Sequence, residues 1–487
     1  MRDFLKIKFS KLKKANTNIN ISKTNIINKG NKTLVGFISI LSLLGIFLFG
    51  SFSFFSCANN NGAVAEPQAP IVSESTILEE TGNTVTEEVE IRKRSISVWD
   101  SCEPKGRIFL MDNIENFLKE NENIDISTKH FRSEEELVDV FTAASLAGAG
   151  PEIVLLSFDS MKKLAVENVL REIGDEFDYS KFLTGLNDLT SFEDKKYIVP
   201  FSSSDFLILY FNKSAIQEIP TTFDNIIEYS KEKINSKDKH KTGYGFLLNA
   251  SEPDWVIPFV GGYLDWIYNY DTGMINLNTN SMKNTLNFLD TLYNKEKIMP
   301  FEIGYENINE AFKSGEVDMI INGTWAINEY KEAGINFGVA KIPKVSDAIT
   351  NPTPMISGLG FVVNVTCSNE NFEVVKNFIN YMISTDVQES LIYNTYSFPS
   401  ILGLEKSELL NDDNIYNSLL QAKVCRGKPA EEDLRIIRDV IRTNLESFIS
   451  GSLTVDDAVN KMQEEAIKLK SGEVKIEGDT STTESGG

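Results

Sequence analysis

The chain has 487 residues with 70 Asp and Glu against 48 Lys and Arg, a net charge of -22. That balance argues against nucleic acid and against electrostatic adhesion to anionic lipid, and a hydrophobic content of 41% is ample for a folded core. The length suits two globular lobes better than one.

The first predicted element is an apolar run from Leu34 to Phe55, ending in Ser56-Cys57. It follows a basic stretch in which Arg2 and eight lysines from Lys6 to Lys32 face Asp3 alone. A basic flank, an apolar core and a small residue before a lone cysteine form the layout of a bacterial lipoprotein signal peptide. Residues 1–57 are read so, with Cys57 as the lipidated residue; an uncleaved signal anchor is the alternative, because about 20 apolar residues span a bilayer. Either way the remaining chain lies outside the cytoplasmic membrane, since lysines stay on the cytosolic side. Residues 1–56 hold nine bases and one acid, so the exported part carries -30.

Residues 58–94 are polar, acidic and short of aromatics, and read as a flexible tether. The Gly-, Ser- and Glu-rich tail 471–487 reads as disordered. Between them strands and helices alternate. Ile96–Trp99 is a short strand. Ser133 and Glu136 form a capping box for a helix with a Leu137, Val140, Phe141, Ala144 stripe, stopped at Gly148. Ile153–Leu156 follows as a buried strand, completing a β-α-β unit. Phe206–Phe211 is another strand. Thr221 and Thr222 open a helix carrying Ile226 and Tyr229. Ile308, Ala311 and Phe312 precede Gly315 and the strand Met319–Ile321. A helix spans 371–383, Thr385 and Gln388 cap the next, and Thr454 and Asp457 cap a last one ending near Leu469. The fold class is α/β.

Enzymatic motifs are sparse. His130 and His240 sit in polar stretches and read as surface residues. The chain shows no G-x-S-x-G elbow, zinc helix or phosphate loop, so no metal or cofactor is expected. After Cys57, the cysteines Cys102, Cys367 and Cys425 remain, an odd number in an oxidising compartment; pairing of Cys102 with Cys425 stays open. Trp255 stands beside Glu252 and Asp254, and Trp325 follows Asn322-Gly323-Thr324. A flat ring next to carboxylates suits the C–H face and hydroxyls of a sugar, although core packing explains a lone tryptophan equally well.

Several segments in order resemble one family. Ala147-Gly-Ala-Gly-Pro151-Glu-Ile-Val154, Val199-Pro200 through Tyr210-Phe211-Asn212-Lys213, and Pro220-Thr-Thr-Phe223-Asp224 are three of them. Ala311-Phe312 through Gly315-Glu-Val-Asp-Met319-Ile-Ile-Asn322-Gly323-Thr-Trp325 is the longest. Asn336-Phe-Gly338 to Pro343, the glycines before Phe361, and Ser450-Gly451 through Ala458 complete the set. Together they resemble the extracellular solute-binding proteins of ABC importers, maltose-binding-like family 1, over about residues 95–470.

The resemblance implies a type II periplasmic-binding-protein fold with two α/β lobes hinged around a cleft. Lobe 1 would be 95–203 with 360–398, and lobe 2 would be 206–357 with 400–470. It implies a monomeric, non-enzymatic binder of a small solute, most plausibly a carbohydrate, that delivers its ligand to the permease subunits and is held to the membrane by its lipid. The implied ligand contacts are Glu103, Lys105, Asp159, Asp205, Glu252, Asp254, Trp255 and Trp325. Two tryptophan platforms of maltodextrin binders correspond to Leu156 and Arg438 here, and an aromatic beside the family's "E-P" acid corresponds to Asp254. Fewer stacking faces and more charge argue against a long maltodextrin. An exported glycoside hydrolase using Asp159, Asp205 or Glu252, a surface receptor that has lost transport, and a binder of a cationic solute such as a polyamine are the competing readings.

Overall fold

The computed structural model describes residues 93–236, 243–395, 397–407 and 412–473. The signal segment 1–57 with Cys57, tether residues 58–92, His240 and tail residues 474–487 lie outside the described residues. Among the described residues no helix is long and apolar enough to cross a membrane.

Two separate sheets organise the body. The first has five strands, β1 (Arg94–Asp100), β2 (Ile124–His130), β3 (Ile153–Ser157), β4 (Ile198–Pro200) and β9 (Leu359–Val363), in the order β2-β1-β3-β9-β4. β1 runs parallel to both β2 and β3, while β9 is antiparallel to β3 and β4. The Ile-Val-Leu-Leu run of β3 is buried on both faces because helices cover the sheet, which is why it shows no alternation. The second sheet has β5 (Leu207–Asn212), β6 (Tyr244–Leu247), β7 (Val317–Gly323) and β8 (Phe337–Ala340), in the order β8-β5-β7-β6.

The β-α-β unit expected from the sequence is present, with α1 (Pro104–Glu120) between β1 and β2 and α2 (Glu134–Leu146) between β2 and β3. The Ser133 hydroxyl accepts from the Glu136 N–H at 3.2 Å, the serine half of the predicted box. Gly148 ends the helix region at φ +73, a conformation that costs a residue with a Cβ about 1–2 kcal/mol. One cap falls elsewhere than expected. The helix Thr385–Asn394 has Ser384 as its N-cap, and Gln388 is buried, donating to the carbonyl of Phe201 at 2.9 Å and accepting from the Ser400 N–H at 2.8 Å.

The chain passes between the sheets after β4, before β9 and again near residue 400, and these passages are laced together. Phe398-Pro399 pairs with Ser202-Ser203, Ser204 bridges Ser357, and the Ser203 hydroxyl donates to the Pro399 carbonyl at 2.8 Å. A Cβ at Gly358 would overlap the Ser202 carbonyl, so only glycine lets these passages lie so close. After the third passage, the Asn414 and Gln421 side chains accept from the N–H groups of Val339 and Ile342, docking the helix Asp413–Ala422 along β8. Cys102, Cys367 and Cys425 are all free thiols, so no Cys102–Cys425 bridge forms.

Candidate functional site

Parallel β1 and β3 end at the same sheet edge, so the segments following them stand side by side. The first carries Glu103 and Lys105, both exposed, at the start of α1. Its shape is set by Asp100, a fully buried carboxylate that accepts from Arg107, from His130 Nδ1 at 2.8 Å and from the Cys102 N–H at 3.2 Å. Burial and the Asp100 charge push the Cys102 thiol up to about 12, so it stays protonated and unreactive. The second segment carries Asp159 in the first turn of α3 (Phe158–Val166). Glu134, from the start of α2, fixes it by accepting from the hydroxyls of Ser157 and Ser160 and from the Ser157 N–H.

Asp159 is half-buried, and burial raises its pKa above the ordinary carboxylate value against the opposing pull of Lys428 and Lys162. Lys428 belongs to the C-terminal part of the chain, where it pairs with Glu431 at 3.1 Å. Lys428 and Glu431, at the start of the helix α9 (Glu431–Ile449), are thus within electrostatic reach of Asp159.

On the second sheet, β7 delivers Trp325. Its indole folds back over Gly323, where any Cβ would overlap the ring, and remains 46% exposed. The indole N–H donates to the Tyr305 hydroxyl at 3.1 Å, and Trp255 meets the ring edge-on with centroids 6.3 Å apart. Trp255 itself is buried, with its indole N–H donating to the Ile321 carbonyl at 2.8 Å. It props the exposed ring rather than offering a face of its own, because the turn at Pro253 directs it onto β7.

Asp205 is exposed in the first passage between the sheets, at φ +62, and makes no hydrogen bond among the described residues. The neighbouring Phe206 carbonyl accepts from the Thr324 N–H at 3.1 Å, which places Asp205 beside the Trp325 turn. Its carboxylate thus stands exposed, without an internal partner, at a strained backbone position.

Glu252 and Asp254 are not free. Asp254 takes two hydrogen bonds from Arg438, Nε at 2.8 Å and Nη2 at 2.7 Å, and Glu252 takes one from Arg442 at 3.0 Å. Asp254 raises the Arg438 pKa against the opposing effect of burial. Both acids the sequence reserved for ligand hydroxyls thus have a guanidinium already on them.

The structure brings Asp205, Glu252, Asp254, Trp255 and Trp325 into one region around β7 and α9, and sets Asp159 within electrostatic reach of the start of the same helix. The sequence did not single out Lys162, Tyr305, Lys428, Glu431 or Arg442. Two arginines four residues apart, matched to two acids two residues apart, were the available signal.

The bacterial extracellular solute-binding protein model matches residues 113–416. The chain belongs to that family. It is 23% identical over 339 residues to a maltotriose-binding protein of Pyrococcus abyssi, covering 68% of this chain and 71% of the relative. It is also 23% identical over 348 residues to a maltooligosaccharide ABC transporter solute-binding lipoprotein of Streptococcus pneumoniae, covering 69% of this chain and 81% of that one. The maltose-binding periplasmic protein MalE of Listeria monocytogenes, solved with maltose, superposes with a TM-score of 0.67 at 20% identity, over 79% of this chain and 100% of that one. The two sheets with their laced passages are the two-lobed α/β periplasmic-binding fold. Proteins of this family bind solutes outside the cytoplasmic membrane.

Proposed function

We propose that this protein captures a carbohydrate between two lobes, 95–203 with 360–398 and 206–357 with 400–470, and delivers it to the membrane subunits of an ABC importer. Trp325 is the observation that carries the reading. A half-exposed indole, braced edge-on by Trp255 and Tyr305, offers a flat apolar face beside the unpaired carboxylate of Asp205. Ring C–H groups lie on the first and ring hydroxyls donate to the second. Glu103, Lys105 and Asp159 approach from the other lobe, so the ligand gains contacts that only the closed state completes. Relatives named for maltotriose and maltooligosaccharides support the ligand class.

The protein acts as a monomer that binds without breaking a bond. Lipid on Cys57 holds it at the outer side of the membrane; labelling of the protein by a radioactive fatty acid, lost in Cys57→Ser, is the expected result, and no label on the unaltered chain makes the apolar run an anchor.

A thermal-shift screen of the full chain against neutral sugars, acidic sugars and polyamines tests the binding reading. A sugar at 100 times its dissociation constant adds about 2.7 kcal/mol of stability. Stabilisation by polyamines alone, or release of shorter products from an oligosaccharide, overturns it.

A further inference from the structure

Lys162 and Asp159 lie three residues apart on α3, where side chains share a helix face. Both are half-buried, yet neither forms a hydrogen bond or ion pair, with the other or with any described residue. Burial dominates the environment of each. It raises the carboxyl pKa and lowers the ammonium pKa, while Lys428, Asp433 and the other member of the pair act only through space. The other cations of the region are occupied. Lys428 holds Glu431, Arg438 holds Asp254 and Glu431, and Arg442 holds Glu252. Asp433, the acid acting on Lys162 from α9, already accepts from the Tyr268 hydroxyl at 2.8 Å and from Lys470 at 2.6 Å.

We propose that Lys162 anchors an anionic group on the bound sugar, a carboxylate or a phosphate, while Asp159 accepts from a neighbouring ring hydroxyl. This rests on the carbohydrate reading above and narrows it to acidic sugars. A half-buried ammonium loses water as the lobes close, and a ligand hydroxyl leaves its charge uncompensated. An anion compensates it and forms the shorter, stronger charge-assisted bond. The exported part of the chain carries -30, a field that repels anions, so an acidic ligand needs a cation at the point of contact. Lys162 supplies that cation without displacing an internal ion pair.

Calorimetric titration of the full chain with glucose, glucuronate and glucose 6-phosphate, and with maltose as a neutral disaccharide, tests this. The carboxylate and phosphate arms separate the two sources of negative charge. At least one anionic sugar binds about tenfold or more tighter than its neutral counterpart. Lys162→Met abolishes that preference, weakening the anionic sugar while neutral sugars bind no less tightly, whereas Lys162→Arg retains it. Equal or tighter binding of the neutral sugars, or an equal loss for both classes in Lys162→Met, overturns the inference while leaving the carbohydrate reading standing. Failure of all sugars, neutral and acidic, overturns the carbohydrate reading itself and this inference with it.

Discussion

Arg438 and Asp254, 184 residues apart in the chain, form a two-pronged ion pair with both Asp254 oxygens engaged, at 2.8 and 2.7 Å. One helical turn on, Arg442 reaches Glu252. Together they clip α9 to the turn that carries Trp255, and so fix the support of the Trp325 platform. Of the three positions where the family resemblance leads one to expect an aromatic, Leu156, Asp254 and Arg438, two are partners: Asp254 and Arg438 form a charged pair where two rings were expected.

Removing one member leaves the other charged and three-quarters or so buried. The Asp254 side chain is 29% exposed and that of Arg438 25%. Arg438→Ala is expected to lower stability by about 1–2 kcal/mol, discounted from a fully buried pair for residual solvent. Arg442→Ala, whose pair with Glu252 is nearly half exposed on both sides, changes stability by under about 0.5 kcal/mol. Denaturant unfolding of both variants, with an Arg438→Ala/Asp254→Asn double mutant to isolate the coupling, is the measurement. Equal effects at the two arginines refute the assignment.

The two tryptophans separate support from contact. Trp255→Ala empties a buried site and leaves the Ile321 carbonyl without its donor, a loss of about 3–5 kcal/mol. Trp325→Ala removes a half-exposed ring, so the unliganded melting temperature stays nearly constant while sugar binding weakens by about 1–3 kcal/mol. A melting point that collapses in Trp325→Ala makes that ring part of the core.

What the sequence conveyed about the fold was local. The strands at 153–156, 206–211 and 319–321 were readable as apolar runs bounded by polar residues, and 96–99 by its alternation; all four lie within observed strands apart from Phe206. The Thr385 cap was misread by one residue because Ser384 and Thr385 are equivalent as sequence signals, and Gln388 is held by distant Phe201 and Ser400. At the site, Asp205 and Trp325 stand in positions a motif can reveal. The salt bridges on Glu252 and Asp254 join residues 184 and more apart, and no local pattern reports such pairing.

Asp159 gives a pH signature. Its carboxyl pKa is raised in the folded protein, mainly by burial, so the folded state holds the proton where the unfolded chain, near about 4, has released it. Its contribution to stability is fully present below that ordinary value and is lost as pH rises through the folded value. Asp159→Asn removes the cost of charging the group. The unliganded variant is expected to be more stable than the parent at neutral pH, to match it at about pH 4, and to bind its ligand more weakly. Melting temperatures from pH 4 to 7.5 check it, and parallel profiles for the two proteins reject it.

Asp205 separates a backbone role from a side-chain role at the passage between the lobes. At φ +62 a residue with a Cβ is strained, and aspartate and asparagine populate this left-handed region more readily than other residues with a Cβ. Asp205→Asn preserves that tolerance and deletes the charge, so it leaves the melting temperature unchanged and weakens ligand binding by about tenfold. Asp205→Ala loses both, adding a destabilisation of about 1 kcal/mol to the same binding defect. Asp205→Gly relaxes the backbone but, lacking the carboxylate, does not restore affinity. Calorimetric binding and thermal unfolding of the three variants distinguish these outcomes. Full affinity in Asp205→Gly makes the residue a hinge element alone, with no hand on the ligand.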